Sequence, residues 1–254
     1  ANPIILYDNR FLDGTLTATN TASGYNVLNI RDYRTYTFWQ AASAGTRFIT
    51  VDCGSAKSAD TLAVIGHNLK TANATVSVES SPDNSTWTTR LSPFTPSSDK
   101  AFLRYFTSAS ARYWRIRIVT ASIAPRIAVA MLGNSLTFPY PPDAPYVPYS
   151  ESIETDSSKS KRGHLLGSVI KHKSIEISAK FSNLPRTWVL NNFKVFWDNH
   201  ASDLKPFFYA WDIDTIPDMV FFVSVSENAK YEMPLSILGV VDEIKLSMIG
   251  IKEV

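Results

Sequence analysis

Between residues 48 and 132, apolar side chains recur at every second position in short runs, and turn-forming residues separate the runs. Val76 and Val78 oppose Thr75, Ser77 and Glu79. Trp114, Ile116 and Ile118 alternate with Arg115 and Arg117, and Ile127, Val129 and Met131 share a side. Successive residues of a strand point to opposite faces, so this pattern calls for strands with one wet face. The runs cover residues 48–53, 61–65, 74–80, 101–107, 112–119 and 126–132, and Pro82, Asp83 and Asn84 favour a tight turn. Strands this short and this regular predict an antiparallel β-sandwich or jelly roll. The first 47 residues read as two opening strands with polar, aromatic-bearing loops.

The run FPYPPDAPYVPY, Phe138 to Tyr149, then interrupts the pattern. Proline at this density is excluded from a central strand or a helix interior, so it reads as a stiff connector. The predicted division is a sandwich over 1–138, a linker over 139–149 and a second β-domain over 150–254. In the second domain, 150–156 and 164–181 form a long hairpin with SSKSKRG as its polar tip. Ile175, Ile177, Ala179 and Phe181 alternate there with Ser174, Glu176, Ser178 and Lys180. One helix is expected over 185–199: Pro185 suits a first helical position, and Val189, Phe193, Phe196 and Trp197 make one apolar stripe. Strands at 206–211, 219–226 and 240–251 complete a β-sandwich with one helix. The fold class is mainly β.

With 44% apolar and 19% charged residues, the chain has material for a sizeable core. A net charge of +2 argues against bulk nucleic-acid binding and specificity for it. Residues 1–138 carry 13 Lys and Arg against 8 Asp and Glu, whereas 139–254 carry 12 against 15. That sign change fits two domains. Cys53 is the single cysteine, so no intramolecular disulfide forms, and its place in FITVDCG suits a small buried apolar residue. No apolar run approaches membrane-spanning length, and the opening ANPIILYDNRF lacks the pattern of a secretion signal. The expectation is folding in a reducing cytosol.

Catalytic signatures are missing. His67, His164, His172 and His200 have no metal-ligand spacing between them, and no HExxH, GxSxG, GxGxxG or Walker sequence occurs. Asp212 and Asp214 in WDIDTIPD read as turn formers. The chain is therefore read as a non-enzyme without cofactor or metal. Aromatic residues beside polar ones are more suggestive. Tyr33, Arg34 and Tyr36 in the first domain's loops, with Asn84 in the turn DNSTW, are candidates to stack on a sugar and bond its hydroxyls. Trp39 and Trp87 read as plugs for the sandwich ends, and Trp39 and Trp114 as core.

The segments NVLNIRDYRTYTFWQA, FITVDCGSAKSADTLAVIGHNL, VSVESSPDNSTWT and ARYWRIRI together resemble a discoidin-like (galactose-binding-like) domain over residues 20–133. The second half, through KRGHLLGSVIKHKSIEISAKFSNL, is similar in layout to the tail-tube-like fold of bacteriophage structural proteins. A module of each kind in one chain resembles the distal tail (tail-tip) proteins of siphophages. The resemblance implies a virion protein of the baseplate region, in an oligomeric ring, taken as a homohexamer. Its partners would be further copies, the tail tube protein, hub or tip proteins and a host surface saccharide, with no membrane insertion. The ring interface or lumen arm falls on Lys173, Ser174, Ile175, Glu176, Ile177, Ser178 and Lys180. The alternative is a glycan-binding adhesin or carbohydrate-binding module.

Overall fold

The computed structural model describes residues 2–236 and 239–253. In chain order the strands are β1 (Ile4–Leu6), β2 (Thr15–Ala18), β3 (Trp39–Gln40), β4 (Gly45–His67), β5 (Thr75–Ser81), β6 (Thr88–Phe94), β7 (Phe102–Thr120), β8 (Arg126–Gly133), β9 (Leu136–Thr137), β10 (Ser150–Lys159), β11 (Leu165–Leu184), β12 (Phe207–Ala210), β13 (Val220–Val225) and β14 (Val241–Ile251). Between β11 and β12 runs one helix, α1, over residues 186–199. The protein is mainly β, and its described strand pairs are antiparallel. Two compact units emerge: Ala1–Thr137 with Phe208–Phe221, and Phe138–Phe207 with Phe222–Val254. The sequence alone puts 208–221 in the second half. It groups with the first because β12 pairs with β1, Ile4 facing Ala210 and Leu6 facing Phe208.

In the first unit, runs expected as separate strands are continuous. β4 absorbs 48–53 and 61–65, and β7 absorbs 101–107 and 112–119. Their shared ladder breaks between Asp52 and Lys57, where Gly54 adopts a φ of +72°. Only a residue tolerant of the left-handed region fits there cheaply. The ribbon bends at this point instead of ending. Before the bend it carries Ile49, Val51, Trp114 and Ile116 inward; beyond it, Leu62 and Val64 join Ala130 and Leu132 of β8. All eight belong to one buried cluster, so the ribbon is folded into two facing layers. One layer is β2-β4-β7-β5-β6 and the other β3-β8-β4-β7. The Trp114 indole pins the corner, donating to the carbonyls of Lys57 and Ala111 at 3.1 Å each.

The second unit is a sheet in the order β10-β11-β14-β13 with α1. Ile177, Ala179 and Phe181 of β11 are buried with Ile244, Leu246 and Met248 of β14. Of the predicted helical stripe Val189, Phe193 and Phe196 are buried and Trp197 is half-buried, and the turn Val189–Phe193 is wound as a π-helix. Phe138, expected at the end of the first domain, stacks on Phe181 at 4.0 Å and joins this core. The proline-rich segment is tethered here too: Asp143 accepts from the backbone N–H of Ser182 at 3.2 Å and from its hydroxyl at 2.5 Å.

Candidate functional site

The loop leading into β3 is built around one carboxylate. Asp32 accepts from the Arg34 N–H at 2.9 Å and from the Thr37 hydroxyl at 2.7 Å. That closure turns Tyr33 into the left-handed region, φ +63°, and leaves Arg34 exposed with Tyr36 76% exposed. Tyr33 itself is half-buried, and burial pushes its phenol pKa up. Trp39 is fully buried and donates to the Thr21 hydroxyl at 3.0 Å, as the core reading expects.

Asn84 sits elsewhere. Strand β5 carries the chain from Thr75, opposite Val119, to Ser81, opposite Tyr113, and Asn84 follows Ser81. Tyr33 to Tyr36 lead into Trp39, opposite Ile127, which in turn faces His67 just before the short link to Thr75. The seven residues of β5 therefore separate the two groups by roughly 20 Å along the sandwich. The structure brings Tyr33, Arg34 and Tyr36 together and places Asn84 at the other end. Hydrogen bonds from Thr86, Ser85 and Ser81 hold the neighbouring Asp83 carboxyl well below its ordinary pKa. Trp87 is no end plug: it covers the Arg115 guanidinium at 3.8 Å, with Phe48 also within 4.1 Å of it and Glu79 paired at 2.6 Å.

A cleft of about 490 Å³ is lined by Thr17, Thr21, Gly24, Tyr25, Asn26 and Val27 among others. Tyr25 stacks on Phe38 at 4.9 Å and is 38% exposed. Asn26 caps the turn Val27–Arg31 through its carbonyl oxygen, accepting from Leu28 N–H at 2.9 Å. An aromatic ring beside neutral hydroxyl and amide groups has the make-up of a polyol-binding surface. Sequence reasoning passed over Tyr25, whose signal was a lone aromatic after the Gly24 turn in TNTASGYN.

Buried His67 donates from Nε2 to the Lys100 carbonyl at 3.0 Å and accepts the Leu69 N–H at Nδ1. That arrangement fits the neutral ring, and burial pulls its pKa down to about 4. The Asp99 carboxylate 3.8 Å away is therefore no ion-pair partner near neutral pH. Cys53 is buried, and its thiol is pushed up to about 11. Among the described residues no cluster of three or more His, Cys, Asp or Glu is arranged for a metal ion.

In the second unit, residues 173–176 of the proposed arm pair with β10 and 174–184 pair with β14, so Ser174–Glu176 have a strand on both sides, while 177–180 pair with β14 alone and the Lys180 carbonyl accepts the Asp143 N–H at 2.8 Å. Ile177 is 2% exposed, and Ser174, on the face of Glu176, is buried with its hydroxyl 2.6 Å from that of Ser152. Ile175 is half-buried, Lys173, Glu176, Ser178 and Lys180 are exposed, and Lys180 pairs with Glu243 at 2.6 Å. β10 is the outermost strand of the described sheet. Further out, β11 pairs only with β10, Thr155 facing Ile170 and Lys159 facing Leu165. Over the regular stretch 167–170 of this two-stranded ribbon Val169 and Ile170 fall on opposite faces, and Leu166 is the extra residue of a bulge opposite Ser158–Lys159. All four are more than half exposed, as is Ile153.

No protein-family model matches this chain, and no curated protein does. Solved structures are similar to about half of it. Chitosan-binding module 1 from a chitosanase/glucanase of Paenibacillus sp. IK-5 is 20% identical, covering 50% of this chain and 98% of its own, with a TM-score of 0.44. The module CBM32-6 produced by Clostridium perfringens is 17% identical over 49% of this chain and 98% of its own, at 0.42. The CBM32 of AlyQ, in complex with 4,5-unsaturated mannuronic acid, is 23% identical over 50% and 96%, at 0.41. These are carbohydrate-binding modules, and their scores leave the function of this chain to its own residues.

Proposed function

We propose that the chain is a structural subunit that assembles with copies of itself through the β10–β11 ribbon and displays its first unit as a separate module. The observation that carries this is the β11 arm of the ribbon, where Leu165, Leu166, Val169 and Ile170 are exposed. An isolated two-stranded ribbon is marginal in water, and an exposed apolar strand at the edge of a sheet invites pairing. Covering it with a neighbouring copy removes both liabilities, and a head-to-tail contact that completes a rotation closes as a ring. Taken with the sequence resemblance, this reading makes the protein a ring subunit of a bacteriophage tail tip, meeting tail tube and hub proteins. Sedimentation velocity and negative-stain images of the full chain test it. Closed rings that grow with concentration are expected. A monomer at every soluble concentration, also in the presence of purified tail tubes, refutes it.

A second reading is favoured by the Tyr25 cleft: the first unit binds a saccharide. Stacking a sugar face on Tyr25 or Tyr36 hides little apolar area, so each site is weak and display on a ring raises the apparent affinity. A glycan array probed with assembled protein and with Tyr25→Ala tests it. Silence across the array, or unchanged binding by the variant, removes this reading without touching the first.

A further inference from the structure

The Tyr25 cleft has a charged neighbour that a neutral sugar would leave unused. Tyr25 stacks on Phe38 at 4.9 Å, and the Arg126 guanidinium lies 5.5 Å from the centre of that same ring. The backbone fixes each member. Asn29, in the turn that Asn26 caps, donates from its side-chain amide to the Phe38 carbonyl at 2.9 Å. Arg126 opens β8 opposite Gln40 of β3, and its N–H donates to the Asn68 side chain at 2.8 Å. Tyr25 and Arg126 therefore address one ring, close enough for a single disaccharide to touch both.

Most arginines of the first unit bond their guanidinium groups within the fold. Arg10, Arg112 and Arg115 pair with carboxylates, and Arg31 and Arg47 donate to backbone carbonyls. The Arg126 guanidinium has no acceptor among the described residues, and its one partner is the Phe38 ring. Arg34, in the loop that leads into Phe38, is bare in the same way, while Asp32 of that loop is engaged by the Arg34 N–H and the Thr37 hydroxyl. A guanidinium held against a ring is pre-positioned, and its N–H fork matches the two oxygens of a carboxylate. The residues lining the cleft itself are all neutral, so they suit hydroxyls and leave any charge on the ligand to Arg126.

We infer that the saccharide of the Tyr25 cleft is acidic, a hexuronic acid whose carboxylate Arg126 receives while a linked sugar ring covers Tyr25. The inference rests on the saccharide reading of that cleft and narrows it. A glycan array of neutral, uronate-bearing and sulfated oligosaccharides, probed with the full chain, tests it. Uronate-bearing glycans should bind, and their methyl esters, which lack the charge, should bind at least about tenfold more weakly, the size of one lost charge-assisted hydrogen bond. Arg126→Gln should lose the same factor on the free acid, lose the preference for acid over ester, and melt like the parent protein. Arg126→Lys keeps the charge without the fork and should fall between the two. Binding of neutral glycans that Tyr25→Ala abolishes and Arg126→Gln leaves unchanged overturns the inference while the saccharide reading stands. Silence across the array removes both. Tighter binding of sulfated glycans than of uronates, or of a tri-aspartate peptide, overturns the inference as well.

Discussion

Replacing Leu166 and Ile170 with serine on the β10–β11 ribbon is expected to cut assembly sharply while leaving the fold intact. The two side chains are 69% and 53% exposed. Fully burying a leucine or isoleucine contributes about 1.5–3 kcal/mol, and more than half of each is still in water in the single chain. Covering both against a neighbour therefore yields about 2–3 kcal/mol per contact, or roughly 30- to 140-fold in the association constant. The serines remove that gain, whereas the thermal unfolding of the single chain should barely move because little packing is lost. Sedimentation equilibrium over a dilution series reads the first quantity, and a circular-dichroism melt reads the second. Unchanged association with a lower melting temperature would mean the ribbon packs within its own chain, and the reasoning fails.

Three further outcomes follow from buried groups. The His67 pKa is about 4 in the folded protein against 6.5 unfolded, so the unfolded chain takes up the proton first. Stability from this residue is complete above pH 6.5 and is lost as pH falls toward 4, in total on the order of 3 kcal/mol. Denaturant melts of His67→Gln should show a flatter pH profile in that window, with His200, also depressed by burial, supplying what slope remains; an unchanged profile refutes the assignment. With its pKa near 11, Cys53 is thiolate to roughly one part in a thousand at pH 8. Alkylation should therefore wait for unfolding, and rapid labelling of the native protein would contradict its burial. Ile177→Asp puts a charge into the packed face of β11 and should cost on the order of 4 kcal/mol or more in a urea melt; near-native stability would show that the face is open.

The strands of the first unit were legible because alternation survives wherever one face is wet. Trp114, Ile116 and Ile118 point inward as their spacing requires. The joining of two runs into one bent strand was not legible. Between Asp52 and Lys57 the sequence shows Gly54 and Ser55, which read equally well as a turn, and only long-range pairing with β7 distinguishes a bend from an end. Strand β6 escaped because Thr88, Thr89, Arg90 and Ser92 are all exposed and leave no apolar period. The grouping of 208–221 with the first unit rests on pairing with residues some two hundred positions away, to which local pattern is blind.

The candidate sites divide along the same physical line. Tyr33, Arg34 and Tyr36 could be grouped from sequence because five residues of loop close on Asp32. Asn84 could not be excluded, since neighbourhood across a sandwich is set by register. The ribbon is the most instructive case. Alternation over Ile175–Phe181 drew attention to the part of β11 that is consumed by its own sheet, with Ile177 and Phe181 buried. Leu165, Leu166, Val169 and Ile170 gave no clean period, and apolar residues on both faces of a strand ordinarily mean a strand buried on both faces. Here they are in water. Under the proposed assembly a neighbouring copy covers these residues, so the proposed contact lies on residues 153–170 where the sequence pattern alone had pointed to 173–180.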